Sequence, residues 1–222
     1  MIRQRTNKAI AITAMLSMLL LAVIAGQWLY AGIYYYQAKA YMGSWDYSSP
    51  LPYGEWKTAR KALDKALALG PSQAIYHQDL SKLLFAKSVG TAPDPDLSIN
   101  LEKQALEHIR QAIDLRPSWP YAWAQLALIK HHSSGMDAEA AEALNKAMTL
   151  GPWEPTVQLI VAEIGLASWA DLTPGLQAKL IDTIAGTAPA ESATILQLVK
   201  KFKLLDIMCN NNNLKIKWKK VC

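Results

Sequence analysis

Three stretches of the sequence share one spacing and decide the fold: "ARKALDKALALGP" (residues 59–71), "ALEHIRQAIDLRP" (residues 105–117) and "AAEALNKAMTLGP" (residues 140–152). Each has an alanine, an aliphatic residue four positions later, an alanine three positions after that, and a proline five positions beyond. Positions i, i+4 and i+7 share one helix face, where small alanine side chains let a second helix approach closely. Because proline cannot continue a helix, each stretch ends one helix and begins another. The sequence therefore predicts repeated pairs of α-helices.

This pattern resembles the tetratricopeptide repeat, whose second helix carries alanine, a large apolar residue and a closing proline. The first helix of that repeat has Trp, Leu, a small residue and Tyr at fixed offsets, which fit well after Pro117, fairly after Pro71 and poorly after Pro152. The positions at these offsets include His77, Trp123, Leu126, Ala127 and Gln158. The resemblance covers residues 52–166 and implies an all-α array of helical hairpins. Two further helices with weak repeat character follow, as the caps that such arrays need.

The repeats are not evenly spaced. Their prolines lie 46 and 35 residues apart, whereas the repeat period is about 34 residues. The first excess is explained by an inserted loop, "SVGTAPDPDLS" (residues 88–98), because Pro93 and Pro95 are excluded from a helix interior there.

A membrane segment precedes the repeats. Residues 9–38, "AIAITAMLSMLLLAVIAGQWLYAGIYYYQA", carry no formal charge, and about twenty apolar residues cross a bilayer core as a helix. We expect an anchor over residues 9–33 after a basic stub, residues 1–8, whose Arg3, Arg5 and Lys8 keep the N-terminus in the cytoplasm. The alternative is a cleaved signal peptide, because residues 23–25 resemble a cleavage site. In both cases the body is exported, which for a bacterial inner-membrane protein means the periplasm.

Charge is concentrated at the two ends of the chain. Residues 39–199 carry 13 Lys and Arg against 17 Asp and Glu, while residues 200–222 carry seven Lys against Asp206 alone. A nucleic-acid-binding protein needs a basic face on its folded domain. The acidic body therefore argues against a nucleic-acid partner.

The sequence contains no motif that indicates catalysis. It lacks the glycine-rich phosphate loops, the His-Glu-x-x-His zinc motif and the Gly-x-Ser-x-Gly nucleophile motif. His131 and His132 are adjacent, so on a helix they point about 100° apart and make a poor chelate. We expect no enzymatic activity, no metal and no cofactor.

Both cysteines lie near the C-terminus, at Cys209 and Cys222. A disulfide between them would close a short loop and stabilise the tail by about 3 kcal/mol in the loop-entropy model; the alternative is two free thiols on a disordered end. The following "LKIKWKK" (residues 214–220) alternates apolar and basic residues, as a half-exposed strand or a surface-lying tail does. Its lysines could meet anionic lipid or an acidic polymer, and a merely solvated tail is the alternative.

Helical arrays of this kind bind a peptide or partner protein on a concave face, an expectation that rests on fold analogy. The candidate partner-binding positions lie on the first helix of each pair. These residues are Ile75, Gln78, Asp79, Lys82, Tyr121, Gln125, Leu128, Thr156, Leu159, Ile160 and Glu163. Their alternative role is ordinary helix surface or contact with a neighbouring repeat.

The layout as a whole resembles the VpsP-like bacterial polysaccharide-biosynthesis proteins: an N-terminal anchor, a few degenerate repeats with "LRPSWPYAWAQLALIK" (residues 115–130), and a terminal cysteine pair. The resemblance implies a scaffold without enzymatic activity that assists exopolysaccharide biosynthesis or export. Two alternatives are a glycan-binding module that stacks Trp119, Tyr121 and Trp123 on sugars, and a general envelope assembly factor. The repeat offsets predict that Trp123 is buried and that Tyr121 and Trp119 are free.

The predicted order along the chain has five parts. After the stub and the anchor come an aromatic linker over residues 34–52, a tetratricopeptide-like helical domain over residues 53–205, and a basic tail with the cysteine pair over residues 206–222.

Overall fold

The computed structural model describes residues 2–43, 52–90 and 94–222, with backbone alone for residues 2–9. All regular elements in these parts are helical, which confirms the all-α class. The helices are α1 (Ile2–Met42), α2 (Tyr53–Leu69), α3 (Ala74–Val89), α4 (Pro95–Leu115), α5 (Pro120–Ser134), α6 (Ala138–Leu150), α7 (Pro155–Ala167), α8 (Pro174–Ala185), α9 (Pro189–Lys201), α10 (Leu205–Cys209) and α11 (Asn212–Lys217). The side chains of Arg3, Arg5 and Lys8, residues 44–51 of the expected linker and Pro93 lie outside the described residues.

Helix α1 has two parts with different surroundings. Residues 10–42 are long and apolar enough to cross a membrane, and the apolar side chains of residues 10–30 are largely exposed. From Ala31 onward one face is covered, because Ala31, Ala38 and Met42 are buried against the following helices. The expected linker is therefore wrong for residues 34–42, which continue the helix and pack on the helical domain.

The three repeated stretches form α2, α4 and α6, and their shared spacing is explained by burial. All nine residues of the pattern are 0% exposed. They are Ala59, Leu63, Ala66, Ala105, Ile109, Ala112, Ala140, Leu144 and Ala147. Helix α2 packs against α1, α4 against α3, and α6 against α5, so each alanine face receives the helix that precedes it along the chain. Close approach of paired helices is the reason for the alanines.

The turn that follows each of these helices has the same hydrogen bonds. The backbone N–H groups of Gly70, Arg116 and Gly151 donate to the carbonyl oxygens of the alanines four residues earlier, at 2.8, 3.0 and 3.0 Å. A second bond closes each turn three residues later, at 3.1–3.2 Å. The next helix then begins four residues after the donor of the first bond in each case, at Ala74, Pro120 and Pro155.

A side-chain bond at each turn reinforces the equivalence of the three repeats. His77 Nε2 lies 2.9 Å from the carbonyl oxygen of Pro71, Trp123 Nε1 lies 2.7 Å from that of Pro117, and Gln158 Nε2 lies 2.7 Å from that of Pro152. A carbonyl oxygen only accepts, so each of these nitrogens is the donor. Three different residue types thus make the same kind of bond, and each lies six residues after the proline whose carbonyl it contacts.

The C-terminal tail is helical and packed. The alternating "LKIKWKK" forms α11 and the turn after it, so the half-exposed strand, one of the two conformations considered, is wrong. Leu214 and Trp218 are buried, and Trp218 Nε1 donates to the hydroxyl of Ser192 at 2.9 Å. Cys209 and Cys222 are joined by a disulfide that closes this segment. Packing of the apolar side chains onto α8 and α9 fixes a helical spacing instead of a strand.

Candidate functional site

The first helices of the three pairs, α3, α5 and α7, carry the predicted partner-binding residues. Gln78, Asp79 and Gln125 are buried, so the expectation that they face a partner is wrong. Six others are half-buried: Ile75, Lys82, Tyr121, Leu128, Leu159 and Ile160. Thr156 and Glu163, both on α7, are exposed.

Asp79 is buried by α1, the chain's own N-terminal helix. The Tyr35 hydroxyl donates to the Asp79 carboxylate at 3.0 Å, and the Lys39 ammonium lies 3.2 Å from the same oxygen. The Asp79 side chain is 2% exposed, whereas that of Lys39 is 42% exposed. This charged contact fixes α1 on α3, at the position where the repeat analogy places a bound partner.

Lys82 lies one turn after Asp79 on α3 and is also affected by this packing. Burial lowers the pKa of Lys82, while attraction to Asp79 raises it and repulsion from Lys39 lowers it further. The first predicted binding position, Ile75, packs beside Tyr76 in the small cluster that holds Ala31 of α1. The first repeat's surface is therefore occupied within the chain.

The second repeat's surface is closed by contacts with its neighbours. Gln125 on α5 donates to the Ser81 hydroxyl of α3 at 2.9 Å, and that hydroxyl donates to the Ala105 carbonyl at 2.8 Å. The Tyr121 hydroxyl donates to the Glu154 carboxylate, which raises the pKa of Tyr121. Through these bonds α5 is joined to α3, and by way of Ser81 to α4. The bond of Tyr121 joins α5 to Glu154, the residue before α7.

A different surface remains open on α7. Exposed Thr156 and Glu163 flank half-buried Leu159 and Ile160, whose side chains pack on the core with part of their surface in solvent. An apolar strip edged by polar residues is the usual composition of a protein-binding surface. Of the eleven predicted residues, these four are the ones that the structure brings together at an accessible place.

Trp123 departs from the prediction that it is buried. It is half-buried: its ring packs on the core and also lines an open cleft of about 300 Å³ between α4, α5 and α6. Arg110 of α4 and Glu139 of α6 both line this cleft and form a bidentate ion pair, at 2.8 and 2.9 Å.

A basic cleft of about 410 Å³ lies between α1 and α2. Lys57, Lys61 and Lys65 line it on one face of α2, with Gln37 from α1. The Lys65 ammonium also lies 4.7 Å from the centre of the Tyr34 ring. This cleft was not predicted, because residues 34–42 were expected to form a linker and not a helix that packs on α2.

Two histidines meet between α3 and α4. His77 Nδ1 lies 3.1 Å from His108 Nδ1. Because His77 donates through Nε2 to Pro71, its neutral ring accepts at Nδ1, and His108 is then the donor at Nδ1. Burial, followed by repulsion from His77, lowers the pKa of His108. Protonation of both rings would place two N–H groups against each other.

The described residues bring no three His, Cys, Asp or Glu side chains into an arrangement that could hold a metal ion. No protein-family model matches the chain, and no curated protein matches it. The surfaces open to solvent in the described parts of the chain include an apolar strip on α7, an aromatic cleft at Trp123 and a basic cleft on α2.

Proposed function

We propose that this chain is a single-pass protein of the bacterial inner membrane that holds a partner protein on a periplasmic, tetratricopeptide-like helical domain. The partner belongs to the machinery of exopolysaccharide biosynthesis or export, and the protein acts as an accessory scaffold. The observation that carries the proposal is α1, which exposes apolar side chains over residues 10–30 and then packs Ala31, Ala38 and Met42 into the domain. A helix with that exposed surface is stable in lipid.

Two further observations support the periplasmic location. The basic residues Arg3, Arg5 and Lys8 precede the span, as they do on the cytoplasmic side of membrane helices. The disulfide between Cys209 and Cys222 lies on the other side of the span and is favoured in an oxidising compartment. The two ends of the chain therefore fit opposite sides of the membrane.

The partner surface in this proposal is the α7 strip, defined as Thr156, Leu159, Ile160 and Glu163. It is accessible, whereas the equivalent surfaces on α3 and α5 are filled by α1 and by neighbouring helices. A partner helix or peptide would cover the two aliphatic residues and meet the hydroxyl and the carboxylate at its edges. The resemblance of the layout to polysaccharide-biosynthesis proteins supports the assignment of that partner to an export system.

The test is a crosslinked pull-down of the tagged, full-length chain from membranes. Thr156→Arg and Glu163→Arg should abolish recovery of the partner, because both place bulk and positive charge at the edges of the strip. Lys103→Glu changes charge at an exposed position on α4 and should leave recovery unchanged. Recovery of division or respiratory proteins in place of polysaccharide enzymes would favour a general envelope assembly factor. Equal recovery with all variants would contradict the α7 strip.

Glycan binding is a second candidate, which the Trp123 cleft favours. A half-buried indole beside Arg110, Glu139 and Glu142 combines a stacking face with polar groups that can bond to hydroxyls. Isothermal titration of the full-length protein with oligosaccharides of the host polymer tests it, with Trp123→Phe to retain ring packing and Trp123→Leu to remove the ring. If neither the unmodified chain nor the Trp123→Phe variant binds an oligosaccharide, glycan binding at this cleft is excluded.

A further inference from the structure

We propose that one edge of the helical domain lies on the membrane and contacts an anionic lipid surface. This turn edge comprises the turns at residues 69–74, 115–120, 150–155 and 185–189, together with α11. Its lipid-contacting groups are Leu115, Leu150 and Trp153, together with the exposed lysines Lys215, Lys219 and Lys220. The inference rests on the proposed function, because the span of α1 sets the position of the bilayer.

The first turn lies where α1 leaves the membrane. Exposed apolar residues run from Ile10 to Tyr30, a length of roughly 31 Å as an α-helix, which matches a bilayer core of about 30 Å. Ala31, the next residue, is covered by the first turn: a Cβ placed on Gly70 would lie 3.6 Å from the Ala31 Cβ. The turn at residues 69–74 is thus level with the bilayer surface.

The next turns lie along the same edge of the domain. Helices α3 and α4 are antiparallel, with His77 opposite His108 and the Ser81 hydroxyl bonded to the Ala105 carbonyl. That register brings the last turn of α4 level with the start of α3. The second and third turns then touch, since a Cβ on Gly151 would meet the Pro120 ring at 2.5 Å.

The edge continues to the C-terminal tail. A Cβ on Gly186, in the fourth turn, would lie 3.0 Å from the Trp153 ring, so the third and fourth turns are also adjacent. Lys217 of α11 donates to the carbonyl oxygens of Ile184 and Ala185 at 3.3 and 3.0 Å, at the end of α8. The tail is therefore fixed beside the fourth turn, and the disulfide closes it there.

The exposed groups on this edge are those found at membrane interfaces. Leu115 and Leu150 are the final residues of α4 and α6 and are 43% and 38% exposed, and Trp153 is 75% exposed. In the second turn of this edge, the Arg116 guanidinium stacks on the Trp119 ring, 5.0 Å from its centre. Tryptophan and tyrosine collect at the lipid headgroup level, where the ring body is apolar and the N–H or O–H remains wet.

The charge of the tail selects the kind of lipid. Lys215, Lys219 and Lys220 are exposed, and Ile216 between them is 76% exposed. Lysines beside an exposed aliphatic residue are suited to an anionic bilayer surface, which attracts basic segments within a Debye length. Lys217 is engaged by α8 and is not part of this charged set.

The test uses the full-length protein reconstituted in vesicles of phosphatidylcholine, with or without an equimolar amount of phosphatidylglycerol. The photoreactive amino acid p-benzoylphenylalanine is placed at Trp153, or at Ile99 as the matched control. Ile99 is 50% exposed but lies near the start of α4, at the opposite edge. Alkaline extraction of the vesicles first establishes whether α1 is inserted.

We expect lipid crosslinking at position 153 to be several-fold higher than at position 99, and to increase with phosphatidylglycerol. The variant Lys215→Gln/Lys219→Gln/Lys220→Gln should lose that increase and keep the crosslinking in phosphatidylcholine alone. Equal yields at the two positions, or a crosslink from position 153 to protein in place of lipid, would overturn the inference while leaving the anchor intact. Release of the chain by alkaline extraction would instead overturn the anchor, and the proposed function with it.

Discussion

The Nε2 atom of Gln158 donates to the carbonyl oxygen of Pro152 at 2.7 Å, and this bond makes Gln158 the equivalent of a tryptophan. In the preceding repeat the same bond joins Trp123 to Pro117. Glutamine is a poor match to the repeat signature by residue type, yet it supplies an N–H at the required height above the turn. The repeat thus depends on a donor at this position more than on an aromatic ring.

Gln158→Leu tests the role of this donor. The substitution retains bulk but leaves the Pro152 carbonyl without its partner in a site where Gln158 is 3% exposed, so we expect a loss of about 1–3 kcal/mol in the free energy of unfolding. Urea unfolding of the full-length protein in detergent, followed by circular dichroism, measures it. Gln197→Leu, at an exposed position on α9, is the control and should change stability by at most about 0.5 kcal/mol.

Gly151→Ala tests the contact between the second and third turns. The added Cβ would lie 2.5 and 2.7 Å from the Cβ and Cγ atoms of Pro120, whose ring cannot rotate away. We expect a loss of about 1–3 kcal/mol, typical of overpacking, in the same unfolding measurement. Gly175→Ala meets no atom within 4 Å in the first turn of α8 and should stabilise the protein or leave it unchanged. Equal effects of the two substitutions would contradict the steric explanation.

Asp79→Ala tests the attachment of α1 to the helical domain. It removes the acceptor of the Tyr35 hydroxyl and the partner of Lys39. Hydrogen bonds to charged groups contribute about 1.5–3 kcal/mol, and partial exposure of Lys39 moves the expected loss to the lower end. Amide hydrogen exchange should become faster in residues 31–42 and remain unchanged in α7. Asp171→Ala, at an exposed position, is the control.

The histidine pair predicts a dependence of stability on pH. Burial and repulsion from His77 hold the pKa of His108 below its ordinary value of 6.5, although Glu107 and Asp64 act in the opposite direction. The unfolded chain therefore binds the proton more tightly than the folded chain. This contribution to stability is complete above pH 6.5 and decreases as the pH falls below 6.5 toward the lower pKa of the folded state.

His108→Gln should flatten the stability profile in that window, because glutamine does not titrate. Urea unfolding at several pH values between 5 and 8 measures the slope, roughly the range in which histidine titrates. Identical slopes for the unmodified chain and the variant would show that other groups cause any pH dependence.

The parts of the structure that the sequence predicted are those in which apolar and polar residues alternate with a clear period. The alanine triplet ending at Ala66 has charged residues on the opposite face of α2, so its helix and buried side can be inferred directly. Between residues 9 and 36 of α1 almost every residue is apolar, so the side that packs on the domain does not differ in polarity from the exposed side. One signal was nevertheless present, since Ala31, Tyr35 and Ala38 follow the same i, i+4, i+7 spacing as the repeats.

For a similar reason, some of the predicted binding residues are buried and others are exposed. A position on a helix face is defined by the sequence of that helix, but its burial depends on which other helix covers it. Asp79 and Gln125 occupy the expected face, and α1 and α3 cover them. The tail was misassigned because its alternation is short, and because contacts made by Leu214 and Trp218 decide its conformation.

The unbroken course of α1 from Ile2 to Met42 has a geometric consequence for the orientation of the whole domain. Each residue of an α-helix adds a rotation of about 100° and a rise of about 1.5 Å. Insertion of one alanine between Tyr30 and Ala31 would therefore rotate the helical domain by about 100° relative to residues 10–30, with a rise of only about 1.5 Å. A partner that contacted both the span and the helical domain would be lost after such an insertion, whereas insertion of seven residues, close to two full turns, would restore the rotation but raise the domain by about 10 Å.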